Sequence, residues 1–346
     1  MPEAPDSEGP DRDCPERPLL NPTVTPLCRD GRTLHLVANP MNGPSYTLRD
    51  EDDERVLAKL PVLLDGTRRV ENIARELEYD DVDALRSAIE ALYDRNLVLD
   101  GASVERPSVV GYAALKPTML EERARDGIEA TVLVIGPERP GAYVLNDLRD
   151  YGVSNVRASG AAANALDRDD GLAPATDPLA DEVERAGFVV ALERLPGDAR
   201  LREVNEFAVE AETPLLVATI DRTAGTVGPT IVPNQTACYD CYRTRLRANA
   251  SDPDRFDAYL SGGADPETGP LEAFERIIAS YATLACLNYL LSGAGLTVGS
   301  QLTFDFFEWS IESNDVLKLP RCPCCSRVEL GHQRFVELED VWEPEQ

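Results

Sequence analysis

Apolar and polar positions alternate in short runs at the start of the chain, and longer runs with helical spacing follow them. Between residues 21 and 48 there are three β-like runs, VTPLC, TLHLVA and SYTL, separated by Asp-Gly and Asn-Gly turn pairs. Helical patterns follow at about residues 50–64, 70–77 and 82–96. This order predicts a small N-terminal domain, an antiparallel meander of three strands followed by three helices.

The second half of the chain alternates between buried apolar runs and helical segments. Residues 130–160 read as strand, glycine-containing turn, helix and strand, and the apolar runs at 187–192 and 213–220 are typical of buried parallel strands. An amphipathic run at 270–291 predicts one packed helix with Cys286 in the core. The predicted fold class is therefore α/β, with a doubly wound sheet in the second domain.

Length and composition divide the chain into four parts. Its 346 residues favour two domains. Residues 1–18 are rich in Pro, Asp and Glu and have almost nothing apolar, which predicts a disordered acidic tail. Glycine and proline punctuate residues 103–119, so we expect a linker there between domains at 19–102 and 120–346.

The net charge limits the kinds of partner that the chain can bind. With 34 Lys plus Arg against 62 Asp plus Glu, the formal charge is −28, which disfavours binding to nucleic acid. No run approaches the roughly 18 to 20 apolar residues that cross a bilayer, and no signal sequence is evident, so we expect a cytoplasmic protein without membrane contact. The acidic residues are spread along the chain and lysine is rare, which resembles proteins of salt-in halophiles.

Residues 63–99 resemble a known peptide-binding domain in three places: the Leu-Asp-Gly-Thr turn, the Val-Glu-Asn-Ile-Ala helix start and the closing Leu-Val-Leu. They are similar to the PqqD-like winged helix, which binds leader peptides of ribosomally made natural products. The resemblance implies that a leader adds a strand to the open edge of the meander. The implied peptide-binding residues are Ser45, Tyr46, Thr47 and Leu48 on that edge and Arg86 on the third helix. A generic winged helix that reads DNA or dimerises is the alternative, which the negative charge disfavours.

Two Cys-x-x-Cys pairs, Cys238/Cys241 and Cys322/Cys325, supply the four thiolates that a tetrahedral structural zinc ion prefers. Eighty residues separate the pairs, but the entropy of loop closure grows slowly with length, so the fold can bring them together. Cys324 could replace a neighbour as ligand, although the two-residue spacing favours Cys322 and Cys325. A redox motif and unrelated buried thiols are the alternatives.

The turn after the first strand of the second domain does not suit a nucleotide. Gly136 and Gly141 bracket Pro-Glu-Arg-Pro, where two prolines remove N–H groups and a glutamate adds negative charge. The second strand ends in Arg-Ala-Ser-Gly without the acidic residue that would hold a ribose. This turn is therefore either a degenerate ATP site or a strand-to-helix loop that never bound a nucleotide. No Ser, His and Asp grouping is evident, so no catalytic residue is assigned.

Residues 228–249 and 304–327 resemble the segments that carry the zinc pairs in ThiF-type, ubiquitin-activating-enzyme-like proteins, whose active members adenylate a carboxylate with ATP. A PqqD-like domain fused to a degenerate ThiF-like domain resembles the leader-peptide-binding partner of YcaO cyclodehydratases in azol(in)e-forming (TOMM) biosynthesis. This implies a non-catalytic protein that binds the precursor leader and docks a YcaO enzyme, with a homodimer as one assembly to test. The alternatives are an ATP-dependent adenylating or sulfur-transfer enzyme and a zinc-containing regulator.

Overall fold

The computed structural model describes residues 14–28, 31–38, 41, 45–50, 56–102, 107–114, 128–165, 173–175, 177–195, 197–262 and 269–326. Contacts divide the chain into two compact units. The first unit contains Met1–Glu129 with the short segments Leu148–Ser154 and Leu287–Ala294, and the second contains the remaining residues.

The strands are β1 (Pro18–Leu20), β2 (Thr25–Cys28), β3 (Thr33–Val37), β4 (Ser45–Arg49), β5 (Val98–Asp100), β6 (Ile128–Ile135), β7 (Val153–Ser159), β8 (Ala173–Pro174), β9 (Phe188–Arg194), β10 (Leu215–Ile220), β11 (Ala224–Ile231), β12 (Ser300–Asp305) and β13 (Ser310–Asp315). The helices are α1 (Leu60–Leu63), α2 (Val70–Leu77), α3 (Val82–Tyr93), α4 (Pro107–Ala114), α5 (Glu138–Asp150), α6 (Leu179–Arg185), α7 (Ala199–Glu210), α8 (Tyr239–Asn249), α9 (Pro253–Ser261) and α10 (Glu272–Ser292).

In the first unit, the meander forms an antiparallel sheet of order β2-β3-β4. Apolar side chains from β3, α2 and α3 fill one core, among them Leu34, Leu36, Ile73 and Ile89. The three predicted strands and the second and third helices are therefore present, and Asp81 caps α3 by accepting a hydrogen bond from the Ala84 N–H, as a helix-initiating aspartate does. Of the predicted turn pairs, Asp30, Asn42 and Gly43 lie outside the described residues.

The first predicted helix, at 50–64, is wrong in its extent. Asp50 is not helical, residues 51–55 lie outside the described residues, and the rest is a 3-10 turn at Val56–Ala58 followed by the single-turn helix α1. Pro61 stands in the first turn of α1. Because proline has no N–H to donate, it suits a helix start and disfavours a helix that runs through it.

The predicted disordered tail is wrong for residues 14–18, while residues 1–13 lie outside the described residues. Pro18 begins β1, which pairs antiparallel with β5, and Pro18 lies opposite Asp100, 82 positions away in the sequence. The Arg17 N–H donates to the Asp100 carboxylate at 3.1 Å, and the Gly101 N–H donates to the Arg17 carbonyl at 2.8 Å. Local composition cannot reveal this distant pairing partner.

The predicted linker contains helix α4 rather than unstructured chain only. Val110 and Ala113 of α4 are buried, and the Gly111 carbonyl accepts a hydrogen bond from the buried Asn21 amide at 3.2 Å. A Cβ atom at position 111 would lie 2.3 Å from Asn21 Oδ1, so glycine allows the close approach. Residues 103–106 and 115–127 lie outside the described residues, and the boundaries at 102 and 120 stay predictions.

The second unit is built on an eight-stranded mixed sheet of order β13-β12-β11-β10-β9-β6-β7-β8. Strands β6, β9 and β10 are parallel neighbours, as are β7 and β8, whereas β11, β12 and β13 continue the sheet with antiparallel pairing. The predicted α/β class is therefore confirmed, and the sheet is mixed, with an antiparallel part toward the β13 edge that the sequence did not predict. In the parallel part, β7 and β8 lie on one side of β6, and β9 and β10 lie on the other, so the strand order reverses between β6 and β9. In open α/β sheets the ligand crevice lies at the carboxyl ends of the strands at such a point.

No helix of the described residues is both long enough and apolar enough to span a lipid bilayer. The longest, α10, has 21 residues, and the ends of this helix carry acidic and polar side chains. Its Cys286 is fully buried, and burial raises the pKa of that thiol, as expected for an inert core cysteine.

Candidate metal centre and peptide-binding edge

The four predicted zinc ligands meet in one buried cluster. Cys238 occupies the N-cap position of α8 and Cys241 lies in its first turn, while Cys322 and Cys325 lie in the turns after β13. The four Sγ atoms all lie within 4.8 Å of one another. The Cys238–Cys322 and Cys241–Cys325 Sγ pairs are each 3.5 Å apart, and the Cys238–Cys241 pair is 3.9 Å apart. The fold therefore joins two loops that are far apart in sequence.

This arrangement fits a tetrahedral metal ion. With Zn–S bonds of about 2.3 Å, the edges of a regular tetrahedron of sulfur atoms measure about 3.8 Å, close to the observed separations. The Leu319 N–H donates to Cys241 Sγ at 3.3 Å, which is the kind of backbone contact that orients a thiolate ligand. The four buried cysteines thus form a site that could hold a metal ion.

The surroundings of these thiols disfavour the thiolate form when no cation is bound. A hydrogen bond with Cys238 and burial raise the pKa of Cys241 to about 12, and burial raises the pKa of Cys325 to about 11. Without a metal, these groups stay protonated at neutral pH. Four buried thiolates would repel one another, and a divalent cation removes that repulsion.

Cys324 lies beside the cluster but outside the group of four. Its Sγ accepts a hydrogen bond from the Asn205 amide at 3.2 Å, and the other end of that amide, Oδ1, accepts the Tyr239 N–H at 2.8 Å. Asn205 lies on α7 and is fully buried. The geometry gives Cys324 an orienting contact, and sequence reasoning had no signal for Asn205.

The predicted peptide-binding residues on β4 lie at a margin of the three-stranded sheet. Among the described residues, β4 pairs with β3 alone, and β2 forms the opposite margin. Ser45 and Thr47 are exposed, whereas Tyr46 and Leu48 are half-buried and pack against the core of the first unit. One face of β4 is therefore anchored, and the outer row of backbone N–H and C=O groups of this strand has no strand partner in the described chain.

Arg86 lies on α3, and an intramolecular partner holds its head group. Its Nη2 donates to Glu71 Oε1 of α2 at 2.5 Å, and the Arg86 side chain is about two-fifths exposed. The five predicted residues thus form two groups, four on β4 and one on α3, and the role of each in peptide binding stays a prediction.

The turn after β6 packs against the segment around Ala162. The Gly136 carbonyl accepts the Ala162 N–H at 2.9 Å, and a Cβ at Gly141 would lie 2.6 Å from the Ala162 Cβ. Helix α5 starts at Glu138, with one proline just before it and Pro140 inside its first turn. Neither proline has an N–H to offer a phosphate at this helix N-terminus.

An internal ion pair occupies the carboxyl end of β9, beside the same crevice. Glu275 of α10 is only 1% exposed, and it accepts a hydrogen bond from Arg194 Nε at 2.7 Å. Arg139 Nη1 lies 3.7 Å from the second oxygen of Glu275. Arg194 and Arg139 therefore both lie within ion-pair distance of Glu275. Arg194 and Glu275 are 81 positions apart, so no local sequence motif predicts their contact.

Several solved structures share this architecture over most of the chain. A heterocyclase in complex with substrate and cofactor matches 89% of this chain with a TM-score of 0.64 and 17% identity. The heterocyclase TruD matches 90% of the chain with a TM-score of 0.61 and 17% identity. The match to MccB of E. coli covers 91% of this chain and 98% of the MccB chain, with a TM-score of 0.55 and 12% identity. The fold is ThiF-like.

The resemblance to TOMM-type proteins predicted from the sequence is thereby confirmed at the level of the fold. This chain spans only about two-fifths of the two heterocyclase chains, 39% and 43% of their lengths. The ThiF-like fold also occurs in a structure of E. coli MccB with ATP, which matches with a TM-score of 0.53 and 13% identity. No protein-family model and no curated protein sequence matches the chain.

Proposed function

We propose that this protein is the non-catalytic leader-peptide-binding and scaffold component of a YcaO-dependent cyclodehydratase. In this proposal the first unit is a PqqD-like winged helix that binds the leader of a precursor peptide in the cytoplasm. The second unit, stabilised by a zinc ion on Cys238, Cys241, Cys322 and Cys325, docks the YcaO enzyme. That enzyme activates the peptide backbone with ATP, and Cys, Ser or Thr side chains then cyclise to azolines.

The observation that carries the proposal is the outer margin of β4, which has no strand partner among the residues that the structure describes. A leader that pairs with Ser45–Leu48 would satisfy the outer backbone groups of the strand and extend the sheet by one strand. The half-buried Tyr46 and Leu48 hold the strand in place from the core side, so little order has to be created when the leader binds. Tethering the leader then raises the local concentration of the core peptide at the docked enzyme.

The crevice at β6 and β9 supports a role without adenylation. Pro137 and Pro140 donate no hydrogen bond to a phosphate, and Arg194 is paired with the buried Glu275. Binding a triphosphate would require the ion pair to open and the Gly136 turn to separate from Ala162. The proposal therefore assigns ATP chemistry to the partner enzyme.

Three measurements with the purified full chain test this function. Fluorescence anisotropy with a labelled leader peptide should show saturable binding, and heterocycle formation by the YcaO enzyme should fall sharply when the chain is omitted. ATP–pyrophosphate exchange by the chain alone should stay at background at saturating ATP. Absence of leader binding, or robust exchange, would contradict the proposal.

The second candidate is an ATP-dependent adenylating or sulfur-transfer enzyme of the ThiF type. The observation that favours it is the MccB structure with ATP, because that protein has the same fold. Exchange that depends on the chain and is lost when the half-exposed Arg139 is replaced would support this candidate over the scaffold.

A further inference from the structure

The hairpin made by β12 and β13 carries large apolar side chains that the fold leaves exposed. At its turn, Phe307 is 76% exposed and Trp309 is 83% exposed, and Ile311 and Leu317 are exposed as well. All six residues of β13 are exposed, and the strand pairs only with β12 among the described residues. Clustered exposed apolar groups of this kind are uncommon on monomeric proteins and mark interaction sites.

The inner side of the hairpin is fixed by aromatic contacts. The Phe306 ring stacks on Phe274 of α10 with centroids 4.1 Å apart, and Phe304 meets Tyr281 edge to face at 4.8 Å. Inward aromatic residues thus hold the hairpin against α10. The outward residues of the hairpin are therefore held in place before a partner binds, which reduces the conformational entropy lost on binding.

The turn conformation presents the Trp309 indole to solvent. The Asp305 carboxylate accepts the N–H groups of Phe307 and Glu308 at 2.8 and 3.0 Å, which closes the turn. Trp309 has a φ of 53°, a left-handed conformation that glycine or asparagine adopts more readily. The chain therefore carries a bulky aromatic at a turn position that small residues fit better, and the fold does not bury that side chain.

The charge on the hairpin selects the kind of partner. Residues 300–317 contain four carboxylates and no lysine or arginine. Among the described residues, the ion pairs include neither Glu308 nor Glu312, and the Arg245 and Lys318 side chains donate to backbone carbonyls. A second copy would bring the same carboxylates against these, so the surface fits a basic partner better than itself.

We propose that the turn at Phe307 and Trp309, together with β13, docks a protein partner that supplies an edge strand with Lys or Arg beside apolar side chains. This inference rests on the proposed function, in which that partner is the YcaO enzyme. The strand extends the eight-stranded sheet, the two aromatic residues fill pockets on the partner, and Glu308 and Glu312 steer the encounter.

The experiment measures the Kd of the YcaO enzyme of the same cell for the full-length chain by calorimetry at two salt concentrations. Phe307→Ser with Trp309→Ser should weaken binding at least tenfold at both concentrations. Glu308→Lys with Glu312→Lys should weaken binding several-fold at low salt and little at high salt, because salt screens exposed charges. Val62→Ser, which alters a comparably exposed side chain in the first unit, is the matched control and should keep the wild-type Kd.

The outcomes separate this inference from the proposed function. If the wild-type chain and the aromatic variant bind the enzyme equally well, the hairpin is not the docking surface, and the scaffold function is unaffected. Wild-type chain that binds the leader but not the enzyme overturns the docking role itself and this inference with it. Sedimentation would show whether the wild-type chain is a dimer. If the Trp309 substitution makes that dimer dissociate but leaves enzyme binding unchanged, the surface binds a second copy of the chain instead.

Discussion

The Asn205 side chain donates a hydrogen bond to Cys324 Sγ at 3.2 Å and accepts one from the Tyr239 N–H at 2.8 Å. Tyr239 follows the first cysteine of one pair, and Cys324 lies between the two cysteines of the other. One buried amide on α7 therefore fixes both loops of the candidate metal centre, each in the orientation that brings the four thiols together.

Replacing Asn205 by Ala should loosen the candidate metal centre. The change leaves the buried Tyr239 N–H without its acceptor, which costs about 1 to 3 kcal/mol in the free energy of unfolding. We also expect zinc to be released to a chromophoric chelator several times faster than from the wild-type protein. Urea unfolding and release kinetics measure the two effects.

Asn155→Ala is the matched control, because the Asn155 amide is exposed and donates to Thr131 Oγ1 at 2.7 Å. It should change neither the release rate nor stability by more than about 0.5 kcal/mol. If the Asn205 variant released zinc at the wild-type rate, the amide would have no orienting role.

Metal analysis should find one equivalent of zinc in protein purified without chelator. Cys238→Ser removes one of four ligands and should reduce stoichiometric binding and lower the melting temperature markedly, because structural zinc contributes directly to folding. Cys28→Ser alters an exposed cysteine outside the cluster and should retain the full equivalent. Equal zinc content and stability in the two variants would argue against a metal at this site.

Replacing Arg194 by Met should destabilise the second unit strongly. The change leaves the carboxylate of the buried Glu275 without its closest cation, a loss that costs about 3 to 5 kcal/mol for a buried pair. Arg139→Met is the comparison, since Arg139 is half exposed and lies 3.7 Å from the same carboxylate, so its removal should cost less than about 1 kcal/mol. Chemical denaturation measures both, and similar small losses would show that the crevice is not held closed by this pair.

Strand addition at β4 predicts a dependence on the backbone of the leader. N-methylation of alternate leader residues removes the N–H groups that face β4 and should weaken binding by more than tenfold. Methylation of the intervening residues, whose N–H groups point away from the strand, should have a smaller effect. Equal losses in the two peptide series, measured by anisotropy, would indicate recognition by side chains instead of pairing.

The predicted contribution of Arg86 can be separated from its contribution to stability. Its ion pair with Glu71 is solvent-exposed, so Arg86→Ala should change the free energy of unfolding by less than about 1 kcal/mol. If Arg86 also contacts the leader, the leader Kd should rise roughly tenfold, which corresponds to about 1.4 kcal/mol. Arg75→Ala on α2 is the control, and a Kd change equal to that of the control would remove Arg86 from the peptide site.

Much of the local structure follows from periodicity. Helices α2 and α3, the three strands of the meander and the buried strands β9 and β10 lie where the apolar spacing predicts them, because each repeats its pattern within a few residues. The first helix was predicted too long, since Pro61 marks a helix start that the apolar spacing conceals. Strand β1 and helix α4 were missed because their partners, β5 and Asn21, are distant in sequence.

The amino-acid sequence by itself determined the two Cys-x-x-Cys pairs, the proline-containing turn after β6 and the α/β alternation, because each depends on residue type and short spacing. Only the tertiary structure decided that four thiols meet, that Asn205 joins their loops, that Glu275 pairs with Arg194, and that Trp309 stays exposed. Burial and long-range contact are properties of the packed chain, and a linear pattern does not encode which distant segment covers a side chain.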